Sequence, residues 1–393
     1  MAINKEQNKL NVPHLRFPEF QGEWEKCKLG DIAEFSTARV SSVKLDCKNY
    51  VSTENMLQDF QGVVEAKSVP NETNVISFTC GDILISNIRP YLKKVWKATF
   101  DGGCSSDVFV LQATDTVAKD YLHYAVANDK FINYVMSGAK GVKMPRGDKN
   151  QMRTYQLSLP SIQEQYKIAK LLTLLDERIA TQSKLIEDLK KLKSAIIDYA
   201  INSLDTNFAK FGSLYEMAGE GGTPTTSNAS FYDNGKIPFI KIDDLKKKYL
   251  TENKDFITEL GLQKSSAWLV PSRSILFSNG ATIGEITITT YPVCTKQGIL
   301  GIVPKPNIDV EFLYYFMSSS YFKKAVSRIV TEGTMKTAYL KDINNIRCPI
   351  PIKEKQQDIA KMPSALNSKI DFEQSILKRF CSQKQYLLRQ MFM

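Results

Sequence analysis

The feature that most constrains this chain is an internal repeat. Slid over itself by about 191 residues, the sequence matches itself in order. Tyr121-Leu122-His123-Tyr124 falls on Phe312-Leu313-Tyr314-Tyr315, Leu159-Pro160 on Ile350-Pro351, and Gln165 with Ile168-Ala169 on Gln356 with Ile359-Ala360. Residues 137–143 fall near 330–336 with a one-residue gap. Looser matches join 28–32 to 210–214 and 81–87 to 273–279. Chance produces any one of these, but not their common order at a near-constant offset. The period is far longer than the roughly 20–50 residues of a solenoid repeat. The chain is therefore two copies of a domain.

Each copy reads as a mixed α and β globular part followed by a long helix. Segments 82–86, 108–111, 274–277 and 298–303 are short, rich in β-branched or aromatic residues, and bounded by Gly, Pro, Asn or Ser; they read as strands. Residues 120–136 and 310–330 carry helical spacing of apolar residues. The long helix of the first copy follows Pro160, with Ser161 placed to cap it and Glu164 in the third position. Its apolar seam runs through Ile168, Leu171, Leu172, Leu175, Ile179, Leu185, Ile186, Leu189, Leu192, Ile196 and Tyr199. About 40 residues at 1.5 Å each give roughly 60 Å. The second seam runs through Ile359, Met362, Leu366, Ile370, Ile376, Leu377, Phe380, Leu387 and Met391. Pro363 is expected to kink this helix or delay its start to about Ser364. A lone helix with a narrow seam needs a partner, and the simplest is the other copy. Related by a pseudo-two-fold axis, the two helices would run antiparallel as a stiff rod with a globular domain at each end. The expected boundaries are 1–160, 161–203, 204–352 and 353–393.

Composition narrows the function. No apolar run approaches the roughly 18 residues of a membrane span, and the polar start MAINKEQNKL lacks the apolar core of a signal peptide. A cytoplasmic protein is expected, with no membrane partner. The seven cysteines form no CxxC pair and read as buried reduced thiols. Net charge is +10, mild and spread along the chain, which suits a polyanion bound through local basic patches. Catalytic signatures are missing. The two histidines are His14 and His123, and His123 sits in an aromatic helix as a packing residue. There is no phosphate-binding GxxxxGK[ST], no GxGxxG and no HExxH. Gly219-Glu220-Gly221-Gly222 leads into Thr-Pro and reads as a loop.

Three stretches carry a family resemblance. They are Pro13-His14-Leu15-Arg16-Phe17-Pro18-Glu19-Phe20 with Gly22-Glu23-Trp24 and Lys28–Ile32; the run from Leu159 to Ala169 with Leu172 and Leu175-Asp176; and Ser278-Asn279-Gly280-Ala281-Thr282-Ile283-Gly284. Together with the duplication they resemble the specificity subunit of type I restriction-modification enzymes, over essentially the whole chain. Two positions depart from the pattern: Lys355 stands where Glu is usual, and Pro363 interrupts the second helix. The resemblance implies an α+β fold of two target-recognition domains separated by a pair of long antiparallel helices. It implies a non-catalytic subunit that binds double-stranded DNA at a split, asymmetric target and directs adenine methylation and restriction by its partners. Two methylation subunits would dock on the helices, through residues such as Ile168, Leu172, Leu175, Ile179 and Leu189, and Ile359, Leu366, Ile370 and Leu377. Restriction subunits would join that core. S-adenosylmethionine and ATP would sit on those partners, with no cofactor or metal on this chain.

DNA reading needs phosphate contacts for position and base-edge contacts for specificity. Loops that mix Lys or Arg with Gly are the candidates. In the first copy these carry Asn87, Arg89, Lys93 and Lys94, then Lys140, Lys143, Arg146 and Lys149. In the second they carry Asn279, then Lys296 and Gln297, then Thr334 and Lys336. Arg89, Arg146, Asn279 and Gln297 have the geometry for bidentate base contacts. A rod of about 60 Å would span at most roughly 18 base pairs at 3.4 Å rise. Two other readings stay open. A coiled-coil scaffold whose ends bind proteins explains the rod and the repeat but not the matched basic loops. A specificity subunit disabled at Pro363 also fits. An enzyme in its own right lacks candidate residues.

Overall fold

The computed structural model describes residues 11–280, 282–330 and 336–392. The chain forms two compact units, Met1–Thr181 with Leu377–Met393, and Gln182–Ile376.

In the first unit the buried strand Ile83–Ser86 lies between Val108–Ala113 and Val95–Lys97, with Ala33–Phe35 on the outer edge of Val108–Ala113. All three pairings are antiparallel, with Ile83 opposite Leu111 and Ser86 opposite Val108. A second four-stranded sheet orders Arg39–Ser41, Asn74–Phe78, Gly102–Cys104 and Tyr50–Val51. A short pair, Glu25–Lys28 with Gln156–Leu159, brings the start and end of the globular part together. The second unit repeats the plan. Ile275–Ser278 lies between Ile299–Pro304 and Ile286–Thr289, with Ile275 opposite Ile302 and Ser278 opposite Ile299. Phe208–Lys210 with Arg347–Pro349 closes that part. The four strand segments read from the sequence are all present, and the class is α+β.

Each predicted single helix over 120–136 and 310–330 is two helices. The first unit has α1 (Lys119–Val126) and α2 (Asp129–Ser137), and the second has α4 (Val310–Ser318) and α5 (Ser320–Ile329), which follow the long α3 (Ile162–Asn202). The break falls at a capping side chain in both copies. Asn128 accepts a bond from the Phe131 amide at 3.0 Å, and Ser319 from the Phe322 amide at 3.2 Å. Such side chains compete with the helix for backbone donors and end it locally.

Pro363 neither ends nor delays the second long helix. α6 runs from Lys353 to Met391 with Pro363 inside it. Proline removes one helical hydrogen bond, at a cost of about 3 kcal/mol in an isolated helix. Here the ring is buried at the position that Leu172 fills, fully buried, in the first copy. The next residue is also held: Ser364 Oγ bonds the Tyr315 hydroxyl at 3.1 Å, Glu311 at 3.0 Å and Lys248 at 2.9 Å. Tertiary packing outweighs the local defect. The first helix also departs from expectation at its start. Ser161 Oγ accepts from the Glu164 amide at 3.4 Å, but the Glu164 carboxylate turns to the Arg16 guanidinium, with two bonds of 2.8 Å.

Within each unit the two long helices run antiparallel. In the first, Asp176 pairs with Lys384 at 2.6 Å and Arg178 stacks over Phe380. In the second, the Gln182 amide donates to the Glu373 carbonyl at 3.2 Å, and Lys193 donates to Asn367 at 2.9 Å. Asp176 and Asn367 are equivalent in the repeat, as are Lys193 and Lys384, so the same contact is built twice.

One buried side chain ties each long helix to its globular part. Gln165 and Gln356 are each 1% exposed. The Gln165 amide donates to the Pro160 carbonyl at 3.0 Å and accepts from the Ala118 amide, just before α1, at 2.8 Å. The Gln356 amide donates to the Pro351 carbonyl at 2.8 Å and accepts from the Asp309 amide, just before α4, at 2.8 Å. Removing either leaves backbone groups unpaired, buried ones at Gln165 and half-buried ones at Gln356. Gln165→Ala and Gln356→Ala should each lower stability by about 1–3 kcal/mol, read as a shift of the denaturation midpoint. An unshifted midpoint would show that the tie contributes nothing.

Candidate nucleic-acid interface

The two basic loops of the first unit, far apart in sequence, form one surface. The Arg89 amide donates to the Pro145 carbonyl at 2.8 Å and the Gly147 amide to the Asn87 carbonyl at 3.0 Å. Lys140 and Arg146 exchange two backbone bonds of 3.0 and 2.9 Å. The predicted side chains differ in how free they are. Lys93 pairs with Asp129 at 2.8 Å. Lys94 donates to the Thr53 carbonyl at 2.6 Å, and burial lowers its pKa. Lys149 stacks over the Phe109 ring at 4.7 Å, and burial lowers its pKa as well. Lys140 reaches Asp148 at 3.7 Å and Arg146 reaches Asp107 at 3.5 Å, both with exposed heads. Asn87 is half-buried with its amide oxygen enclosed. Arg89 and Lys143 are exposed and make no ion pair among the described residues.

In the second unit Asn279 is 1% exposed, which removes it as a base reader. Its amide donates to the Ala338 carbonyl at 3.3 Å and its backbone nitrogen to Gly298 at 3.0 Å, so it fastens two loops together. Lys296 and Gln297 are exposed on a turn whose successive amides are all held. Lys296 donates to the Ile240 carbonyl at 2.9 Å, Gln297 to Thr223 Oγ1 at 3.2 Å and Gly298 to Glu220 Oε1 at 2.9 Å. Glu220 and Thr223 are positioning residues that the sequence reading missed. The segment 219–222 is not simply a loop: Gly219 and Glu220 end the strand Tyr215–Glu220. A Cβ on Gly221 would lie 2.2 Å from the Thr295 carbonyl oxygen, so only glycine passes there. Lys336 is exposed at the rim of a cavity of about 320 Å³ lined by Phe277, Met317, Phe322 and Val326. Thr334 lies outside the described residues.

The helix faces also sort differently from expectation. Ile168 and Leu172 are buried in the first unit's core with Leu387 and Met391, and Ile370 is buried in the second unit. Leu175 and Ile359 pack half-buried against their cores, and Ile179, Leu189, Leu366 and Leu377 are half-buried. The residues named for docking are largely taken up by packing within the chain. The exposed apolar groups are others, and Leu185, Leu192, Tyr199 and Met362 among them belong to the same two seams. They are Tyr166, Leu174 and Tyr386 in the first unit, and Leu185, Leu192, Tyr199, Met362 and Phe372 in the second. Leu185, Leu192 and Tyr199 recur every seventh residue, and Tyr199 is 77% exposed.

Remaining chemistry is sparse. Burial holds the His123 imidazole down to about 4, so it packs as a neutral ring. Five cysteines are buried or half-buried, but Cys80 and Cys381 are exposed, against expectation. Among the described residues no cluster of His, Cys, Asp or Glu could hold a metal, and no helix is long and apolar enough to cross a membrane.

Comparison with known proteins gives this geometry a context. Residues 21–191 and 205–379 match the family model for the type I restriction modification DNA specificity domain. The type I restriction enzyme MjaVIII specificity subunit of Methanocaldococcus jannaschii is 24% identical over 410 residues, spanning 95% of this chain and 92% of that protein. The EcoR124I/EcoR124II specificity subunit of Escherichia coli is 24% identical over 205 residues, 49% of this chain and 50% of that protein. In fold, the crystal structure of a type I restriction-modification system S subunit from M. genitalium superposes with a TM-score of 0.59 at 16% identity, covering 97% and 99% of the two chains.

Proposed function

The chain belongs to the type I restriction-modification DNA specificity family, and from that premise we propose that it is the sequence-reading subunit of such a complex. Each unit contacts one half of a split, asymmetric double-stranded target. Two methylation subunits dock on the exposed apolar faces of the long helices and carry S-adenosylmethionine to adenines in the half-sites. Restriction subunits, which use ATP, join that core. This chain performs no bond-making step; it binds, orients and selects.

The observation that carries the reading is the joined loop pair of the first unit. It gathers Arg89, Lys140, Lys143 and Arg146 with exposed heads on one hydrogen-bonded platform. A rigid root matters, because a long side chain loses less conformational freedom on binding when its backbone is already fixed. Lys143 has no partner to leave among the described residues, and the Arg146–Asp107 pair at 3.5 Å is partly exposed, so both exchange readily to phosphate oxygens. In the second unit the clamped turn offers Lys296 and Gln297 in the same way.

The competing scaffold reading draws on Leu185, Leu192 and Tyr199, which suit a protein partner with or without DNA. A gel shift with methylation subunits present separates the two. Two variants test the proposal further. Lys143→Ala with Arg146→Ala should weaken binding to all sequences alike and reduce the slope of log affinity against log salt by about 1–2, measured by fluorescence anisotropy on the assembled complex. Unchanged affinity at every salt concentration would remove this loop from the interface. Leu192→Ser with Tyr199→Ser should leave the chain's own stability within about 0.5 kcal/mol while reducing co-purification of the methylation subunits. Full co-purification would place their docking face elsewhere.

A further inference from the structure

The segment joining strands Ile83–Ser86 and Val95–Lys97 is built against its own backbone preferences. Arg89 and Lys93 both adopt the left-handed conformation, with φ of 50° and 54°. So do Asp59 and Phe60, at 53° and 61°, whose amides donate to the carbonyls of Leu92 and Lys93 at 3.1 and 2.9 Å. Four side-chain-bearing residues thus share one hydrogen-bonded knot in a conformation where the Cβ crowds the backbone. Glycine escapes that crowding. The second unit uses it: the loop after Ile275–Ser278 passes through Gly284 at φ 107°. The first unit keeps side chains where glycine would relax the chain.

Two of those side chains have evident uses inside the fold. Lys93 is bound to Asp129, and Phe60 packs against the core. Arg89 has none. Its amide is fixed on Pro145 and the following Pro90 is buried, yet its guanidinium is exposed and unpaired among the described residues. Lys93, Lys94, Lys140, Arg146 and Lys149 each have an acceptor or an aromatic ring. Lys143, the other free cation of this surface, sits beside a fully exposed Val142 and lacks a planar fork. On the DNA-reading proposal above, we infer that Arg89 is the base-reading side chain of the first unit, presented to a guanine in the major groove, and that the strained knot holds it there. The chemistry fits, since guanine offers two acceptors, O6 and N7, spaced for a guanidinium fork. Tyr91, two residues on in the same turn, is 48% exposed.

The test uses the chain assembled with its methylation subunits and its preferred duplex, competed against duplexes altered at one base pair each. Arg89→Ala should lose about 10- to 100-fold of discrimination at one G·C pair and keep its preferences elsewhere. Arg89→Lys should retain the salt dependence without restoring that discrimination. Arg89→Gly should relax the same position with an equal or higher melting temperature, because glycine relieves the backbone. A uniform loss of affinity in Arg89→Ala would place Arg89 on a phosphate and overturn the inference. Unchanged discrimination, or a lowered melting temperature in Arg89→Gly, would also overturn it. A wild-type complex with no preferred duplex would overturn the DNA-reading proposal and this inference with it.

Discussion

Gln165 and Gln356 sit at the root of each unit, buried where a long helix begins. A long amphipathic helix has no reason to meet a β-sheet domain at one defined angle if apolar contact alone joins them, because hydrophobic burial has no direction. A buried amide does have direction. Each glutamine binds the carbonyl of the proline before its helix and the amide that opens the helix beneath, at 2.8 to 3.0 Å. Leaving either group unmet in a buried site is costly. The helix therefore leaves the globular part along one course, and the packing of Ile168, Leu172, Ala360 and Pro363 follows from it.

Much of this was legible in the sequence. The repeat foretold two similar units, and the offset that aligned Gln165 with Gln356 also aligns Tyr124 with Tyr315 and Thr173 with Ser364. In the structure the Tyr124 hydroxyl meets Thr173 at 3.3 Å and the Tyr315 hydroxyl meets Ser364 at 3.1 Å. The strands were found because β-branched runs bounded by turn residues are a local signal. What escaped depends on partners. Asn128 and Ser319 end helices by capping, which periodicity does not register. Pro363 is tolerated because a core position awaits it. Leu192 and Tyr199 share helical spacing with Ile186 and Ile197, yet only the latter two are buried. Spacing identifies a face but not what covers it.

The candidate site shows the same limit for charge. The sequence counts lysines and arginines, and the fold determines which remain available. Of the eight positions named in the first copy, Lys93, Lys94 and Lys149 serve the fold, and Asn87 holds a loop through its backbone. Asn279 looked like a base reader by type and is a buried fastener by position. Glu220 and Thr223 carried no sequence signal, because their role is to hold the amides of a turn 74 to 78 residues away. Left-handed backbone at Arg89 and Lys93 is likewise set by tertiary hydrogen bonds and is invisible to propensity.

On the proposed function, two unlike units read two unlike halves of one DNA target. The most direct measurement is the pattern of methylated adenines in the genome of a host that carries the partner subunits, with and without this chain. One split, asymmetric motif, methylated in both halves, should appear only when the chain is present. An unchanged methylation pattern, or a single continuous motif, would contradict it.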